Sequence, residues 1–143
     1  MAKSAGREVS DNDMPDLVAE LDAVFSRFVR LSAADANGNC SCYICDSVNR
    51  WEDCDAMHFV PRANMLLRFD TRNVKCGCRT CNQYLDGNLV LYSKRLNEAN
   101  IGVTEVLLEE SHLVYKYGRF ELLGMIKDYS EKVIKLKLKL SKL

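Results

Sequence analysis

Two clusters of cysteine constrain the fold of this chain more than any other feature of its sequence. The first, CSCYIC, spans residues 40–45, and the second, CGCRTC, spans residues 76–81. Each contains a C-x-x-C pair, a spacing that lets two thiolates converge on one metal ion. The chain has seven cysteines, and an odd number concentrated in clusters favours a metal site over a disulfide framework.

The two C-x-x-C pairs together predict one closed, tetrahedral Zn²⁺ site with four thiolate ligands. The predicted ligands are Cys42, Cys45, Cys78 and Cys81. Cys40 and Cys76 compete for this role, because each lies two residues before a predicted ligand. If the x-x pairs bind the metal, Cys40, Cys54 and Cys76 are expected to be small buried hydrophobic side chains. The zinc would then contribute directly to the free energy of folding.

The length of 143 residues predicts one domain, which we place at residues 13–143 after a flexible lead of residues 1–12. No stretch approaches the roughly 20 apolar residues of a membrane span. The first 15 residues lack the apolar centre of a signal peptide. These features predict a cytoplasmic protein without membrane association.

The net charge is zero, but the charges are unevenly distributed. Residues 1–55 carry 5 basic and 11 acidic side chains, whereas residues 56–96 carry 7 basic and 2 acidic ones. A local basic excess is what contacts to DNA phosphates require, although a solvated basic face explains the same pattern. The candidates for phosphate contacts are Arg62, Arg68, Arg72, Lys75 and Arg79.

The hydrophobic pattern predicts an α+β fold. A helix capped by Asp13 carries an apolar stripe and ends in the turn-rich residues 35–39. The stripe consists of Leu17, Leu21, Val24, Phe25, Phe28 and Leu31. Residues 40–60 read as one β-hairpin, and residues 61–75 as an irregular connection.

Helical spacing predicts the rest of the chain. A helix is expected to begin near Arg79, followed by helices at residues 89–97, 104–110 and 119–143. The last lies in a basic, amphipathic segment, residues 118–143. Its KLKLKLKL sequence also suits an alternating strand, but its continuity with the preceding helix favours the helix.

His58 and Asn82 predict a second, catalytic site. His58 is expected on the second strand of the hairpin, whose first strand is pinned by the first cysteine pair, and Asn82 directly follows Cys81. An amide oxygen suits a hard divalent ion, and an imidazole suits a general base. Hydrolysis of a phosphodiester needs both.

The order of these residues resembles the HNH (ββα-metal) nucleases that carry a zinc-binding cysteine quartet. The elements in question are C-x-x-C at 42–45, His58, Asn73-Val74 and CRTCN at 78–82. With the LDAVFSRFVRLSAAD helix, HFVPR, DTRNV and LDGN, the chain is more narrowly similar to the lambda NinG, or Rap, family of phage recombination nucleases. The resemblance covers roughly residues 17–135.

The resemblance implies a small zinc-clamped ββα-metal core at residues 40–97, between an N-terminal helix and C-terminal helices. It assigns His58 as the general base and Asn82 as a ligand of a catalytic Mg²⁺ or Mn²⁺. Asn73 would brace the loop and the histidine. Such a protein would cut branched DNA, Holliday junctions and D-loops, as a homodimer in the host cytoplasm.

One position departs from the HNH pattern. Many HNH enzymes place an aspartate before the base, where this chain has Met57. Asp55 is the substitute ligand we expect, and Asp53 is a weaker candidate.

Two alternatives remain open. One is another HNH enzyme that nicks or cuts linear duplex DNA. The other is a non-catalytic zinc module that binds nucleic acid or protein, which the departure at Met57 and the neutral net charge favour.

Overall fold

The computed structural model describes residues 13–141 and has an α+β architecture, as predicted. The helices in this range are α1 (Met14–Ser32), α2 (Leu89–Ala99), α3 (Val103–Glu110) and α4 (Arg119–Ser141). The strands are β1 (Asn39–Ser41), β2 (Val48–Arg50), β3 (Asp55–His58) and β4 (Val74–Gly77). The predicted flexible lead, residues 1–12, and residues 142–143 of the predicted last helix lie outside the described residues.

Helices α1 and α4 pack against each other through their apolar faces and form the larger hydrophobic core. Phe25 of α1 contacts Tyr129 of α4 edge to face, with ring centroids 5.2 Å apart. The predicted stripe of α1 is confirmed except at Phe28, which is half-buried, while Val29 is buried. The KLKLKLKL segment is helical through residue 141. None of the helices described here combines the length and apolar character needed to cross a bilayer.

The prediction of one hairpin across residues 40–60 is wrong, because the structure has two separate ladders. β1 pairs with β2, so Cys40 lies opposite Asn49. β3 instead pairs with β4 from beyond the intervening loop, which places His58 opposite Val74. A short 3₁₀ turn, Trp51–Asp53, redirects the chain between the two ladders. Alternation of side chains identifies a strand but does not specify its partner.

A wide helical turn, Thr80–Tyr84, takes the place of the helix predicted near Arg79. It is closed by a hydrogen bond between residues five apart in sequence: the N–H of Leu85 donates to the Thr80 carbonyl at 3.0 Å. Turns of this width are rare in proteins overall, and many of those that occur lie at functional sites. β3, β4 and this turn form a strand–strand–helical-turn unit, with Asn82 in the middle of the turn.

Met57 and Gly77 form a close packing contact between β3 and β4. The Met57 side chain is fully buried. A Cβ atom added at Gly77 would lie 2.1 Å from the Met57 methyl carbon and 2.2 Å from its sulfur. The residue before His58 therefore fills the core, and Gly77 leaves the space for it.

We expect Gly77→Ala to lower the free energy of unfolding by about 1–3 kcal/mol, because the new methyl group overlaps a buried side chain. Urea denaturation followed by circular dichroism measures this change. Gly124→Ala is the matched control, since nothing lies within 4 Å of a Cβ added at that position in α4. The control should gain about 0.5–1 kcal/mol from the better helix former. Equal effects at the two glycines would contradict the packing argument.

Candidate functional site

The four cysteines of the C-x-x-C pairs converge in space. The sulfur atoms of Cys42, Cys45, Cys78 and Cys81 all lie within 4.8 Å of one another. Those of Cys45 and Cys78, from different pairs, are 3.7 Å apart. Cys40 and Cys76 lie outside this group, so the geometry favours the x-x pairs as the four ligands of one ion.

The chemistry of the four sulfurs suits a divalent cation. Burial disfavours the Cys78 thiolate, but hydrogen bonds from the Cys81 backbone N–H and from Ser47 outweigh it and lower the pKa of Cys78 to about 6. Burial raises the pKa of Cys81 to about 12 and also raises the pKa of Cys42. Four adjacent thiolates therefore need a positive counter-charge, and Zn²⁺ supplies it in the tetrahedral sulfur geometry it prefers.

The sulfur cluster links two parts of the chain. Residues 42–45 follow β1, and residues 78–81 follow β4. A further bond between the same regions runs from the Tyr43 N–H to the Cys76 carbonyl at 3.0 Å. A metal ion at the cluster would fix the start of the wide turn, and with it Asn82, relative to β4 and its partner strand.

His58 and Asn82 line one open pocket of about 310 Å³. The pocket lies between α1, β3 and the wide turn, and its other lining residues are Asp22, Phe25, Ser26, Ala56 and Arg62. The structure thus brings together the two side chains that the sequence assigned to one site.

The imidazole of His58 has a defined tautomer. Its Nε2 lies 2.9 Å from the backbone carbonyl oxygen of Arg68. A carbonyl only accepts hydrogen bonds, so Nε2 carries the proton and Nδ1 of the neutral ring keeps its lone pair. Burial lowers the pKa of His58, and the nearby positive charge of Arg62 adds to this effect, while the Arg68 carbonyl opposes it. The ring is therefore neutral at pH 7.

Asp55 lies beside Asn82. The Asn82 Nδ2 donates to the Asp55 carboxylate at 3.0 Å, and Gln83 Nε2 donates to the same oxygen at 2.9 Å. Amide oxygens and carboxylates are ligands that Mg²⁺ and Mn²⁺ accept, but in this structure Asn82 turns its nitrogen toward Asp55. The weaker candidate, Asp53, instead lines a separate depression with Cys45 and Arg79.

Asn73 is fully buried and holds the loop between β3 and β4. Its Oδ1 accepts from the Val60 N–H at 2.7 Å, and its Nδ2 donates to the carbonyls of Val60 at 2.9 Å and Leu67 at 3.2 Å. All its bonds are internal to the loop. Asn73 therefore supports the segment that carries the Arg68 carbonyl.

Asp22 of α1 is the pocket residue that the sequence did not single out. Its carboxylate accepts two hydrogen bonds from Arg68, one of them from Nε at 2.9 Å, and lies 3.8 Å from Arg62. The Asp22–Arg68 pair holds the backbone that binds His58. The sequence shows a carboxylate beside the apolar stripe of α1, but it gives no indication that this carboxylate binds Arg68, 46 residues away.

The five predicted phosphate-binding residues differ in their surroundings. Arg68 is bound to Asp22, and Arg72 is bound to Asp70 and Glu110. The Lys75 ammonium lies over the Tyr43 ring, 5.5 Å from its centroid.

Two of the five predicted phosphate-binding residues are exposed close to the pocket. Arg62 lines the pocket, and Arg79 lies 3.7 Å from Asp55. Both side chains are more than half exposed, whereas the guanidinium groups of Arg68 and Arg72 hydrogen-bond to carboxylates within the protein.

We expect a zinc chelator to lower the free energy of unfolding of the wild-type protein by several kcal/mol, because structural zinc contributes on the order of 10 kcal/mol of binding free energy. Cys81→Ser removes one ligand, so chelation should lower the free energy of unfolding of this variant by less. Urea titrations with and without chelator measure both values. A wild-type protein that is equally stable with and without chelator would argue against a structural zinc ion bound by the four cysteines.

Comparisons of the sequence with known proteins identify relatives of this chain. The family model described as "Bacteriophage Lambda NinG protein" matches residues 7–139. The protein ninG of Salmonella phage P22 is 36% identical over 81 residues, which cover 55% of this chain and 39% of that protein. The alignment thus spans well under half of the curated relative. No solved structure matches. The match to the family model covers nearly the whole chain, so the protein belongs to the bacteriophage lambda NinG family.

Proposed function

We propose that this protein is a metal-dependent endonuclease of the HNH type that cuts branched DNA, such as Holliday junctions and D-loops, during recombination. The observation that carries the proposal is the pairing in one pocket of a neutral His58 and Asn82, with Asp55 against the Asn82 amide. The family and the sulfur cluster support it. Binding without cleavage is the alternative that the experiments below test.

His58 serves as the general base in this proposal. Its Nε2 is occupied by the Arg68 carbonyl, so Nδ1 takes the proton from the attacking water. Asn73 and the Asp22–Arg68 pair keep the carbonyl, and hence the ring, in one orientation. The base would then be preorganised before DNA binds.

Asn82 and Asp55 would hold the catalytic Mg²⁺ or Mn²⁺. When bound, such an ion stabilises the charge that develops on the phosphate and the leaving 3′ oxygen. In the ion-free structure the Asn82 Nδ2 donates to Asp55, so the Asn82 amide would have to turn over to present its Oδ1 to an ion that the Asp55 carboxylate also binds. Gln83 and the Arg79 guanidinium keep Asp55 in place.

Arg62 and Arg79 would contact the DNA backbone beside the cut. Both are more than half exposed, with side-chain exposures of 62% and 53%. Guanidinium groups match phosphate oxygens with two parallel hydrogen bonds. Cutting both strands at a junction would require two such sites, and we expect a homodimer to supply them.

We expect His58→Ala to reduce DNA cleavage by about 10²–10⁴-fold, the usual contribution of a general base. The measurement is single-turnover cleavage of a synthetic four-way junction in Mg²⁺ and in Mn²⁺. His112→Ala is the matched control, because His112 is the other histidine of the chain and is exposed. The control should cleave at the wild-type rate.

The same assay separates the alternatives. Cleavage of the linear arms at the rate of the junction would support an HNH enzyme that acts on duplex DNA. Binding of the junction without cleavage in either metal would support a non-catalytic zinc module. A folded His58→Ala protein that cuts as fast as wild type would exclude this base.

The pH dependence of the reaction follows from the lowered pKa of His58. A base must be unprotonated, so kcat/KM should rise with pH through an inflection below the ordinary histidine value of about 6.5. At pH 6.5 more than half of the base should therefore already be unprotonated, and activity should exceed half of its plateau. An inflection above pH 7 would show that the burial of His58 does not set the pKa of the base.

A further inference from the structure

The three cysteines outside the zinc quartet form a second cluster. The sulfur atoms of Cys40, Cys54 and Cys76 all lie within 4.8 Å of one another. All three side chains are buried, with exposures of 0, 3 and 4%. Burial agrees with the sequence prediction for each residue taken singly. Their convergence on one point does not follow from hydrophobicity.

The two clusters arise from the repeated C-x-C spelling of the sequence. Cys40 lies within β1 and Cys76 within β4, whereas Cys42 and Cys78 come directly after the ends of these strands. The first cysteine of each C-x-C segment therefore lies in a strand, and the second lies in the following turn, where it belongs to the quartet. Cys54, the third member of the cluster, directly precedes β3.

The half-buried cation Arg30 lies next to this cluster. Its guanidinium interacts electrostatically with Cys76, Asp55 and Cys54. Its hydrogen bonds go to Ser26 and to the Trp51 carbonyl. Among the residues that the structure describes, no carboxylate oxygen lies within 4 Å of Arg30. The cluster thus faces a cation that has no close anionic partner.

The charge of this neighbourhood suits a bound divalent ion. Three thiolates around such an ion leave one net negative charge, which the Arg30 guanidinium balances. Sulfur atoms on metal bonds of about 2.3 Å lie about 4 Å apart around a three-coordinate ion. The separations of up to 4.8 Å therefore need to close by less than about 1 Å.

We propose that Cys40, Cys54 and Cys76 form a second metal site, which binds a divalent thiophilic ion such as Zn²⁺ or Cd²⁺ through three thiolates. Thiolates select such soft ions. No fourth histidine, cysteine or carboxylate ligand joins the cluster among residues 13–140. The ion replaces two weak hydrogen bonds, from the Cys40 thiol to the Arg30 carbonyl and from the Cys54 thiol to the Arg50 carbonyl.

The site would tie together β1, the residue before β3, and β4. The two sites would hold the β4 region at two nearby positions, Cys76 within β4 and Cys78 directly after it. This role does not depend on nuclease activity. The inference therefore stands or falls separately from the proposed function.

The test uses the full-length protein after its zinc has been exchanged for Cd²⁺ by dialysis. Native mass spectrometry counts bound ions, and ¹¹³Cd NMR reports the number of sulfur ligands on each. We expect two ions in the wild-type protein, with one four-sulfur and one three-sulfur resonance. Cys54→Ser should lose one ion and the three-sulfur resonance. Cys45→Ser, the matched control, should lose the four-sulfur resonance and keep the three-sulfur resonance at the chemical shift that it has in the wild-type protein, even if the remaining quartet cysteines give a new signal.

Two results would overturn the proposal. One is a wild-type protein that binds a single ion with four sulfurs. The other is a Cys54→Ser protein that still binds two ions with both resonances. If circular dichroism shows that Cys54→Ser does not fold, the wild-type spectrum decides alone: a three-sulfur resonance supports the site, and its absence excludes it.

Discussion

The convergence of four sulfurs from two distant segments is the interaction on which the rest of the structure depends. The four strands have only three or four residues each, and each sheet has two strands. Two-stranded sheets of this length are marginal in water. The packing of α1 on α4 stabilises one side of the molecule. Residues 40–88, in contrast, contain only short strands and two short helical turns. A metal bound by Cys42, Cys45, Cys78 and Cys81 would supply the missing free energy where the candidate site is built.

The candidate site combines rigid and irregular parts. His58 ends a strand, while the carbonyl that orients it lies in the loop of residues 59–73. Such a loop is a poor scaffold unless it is tied down. Asn73 ties it from inside, and Asp22 ties it to α1 through Arg68. A helix from the amino-terminal part of the chain thereby takes part in the geometry of a histidine far along the sequence.

Local patterns predicted much of this architecture. The helices, the sulfur quartet and the placement of His58 with Asn82 followed from spacing and from a family resemblance. The pairing of β3 with β4 did not, because strand periodicity carries no information about partners. The wide turn at Thr80–Tyr84 was read as an ordinary helix, since i→i+4 and i→i+5 turns share nearly the same spacing. Asp22 was missed for a related reason: its importance comes from Arg68, which only the folded chain brings near.

The packing of Met57 bears on how this protein relates to HNH enzymes with an aspartate before the base. The side chain at position 57 points into the interior against Gly77, away from the pocket. Restoring the common residue by protein engineering would therefore bury an unpaired carboxylate instead of adding a ligand, and would weaken the fold. An aspartate at this position could reach the pocket only if the backbone of β3 were displaced. Position 57 in this chain therefore serves the packing of β3 against β4.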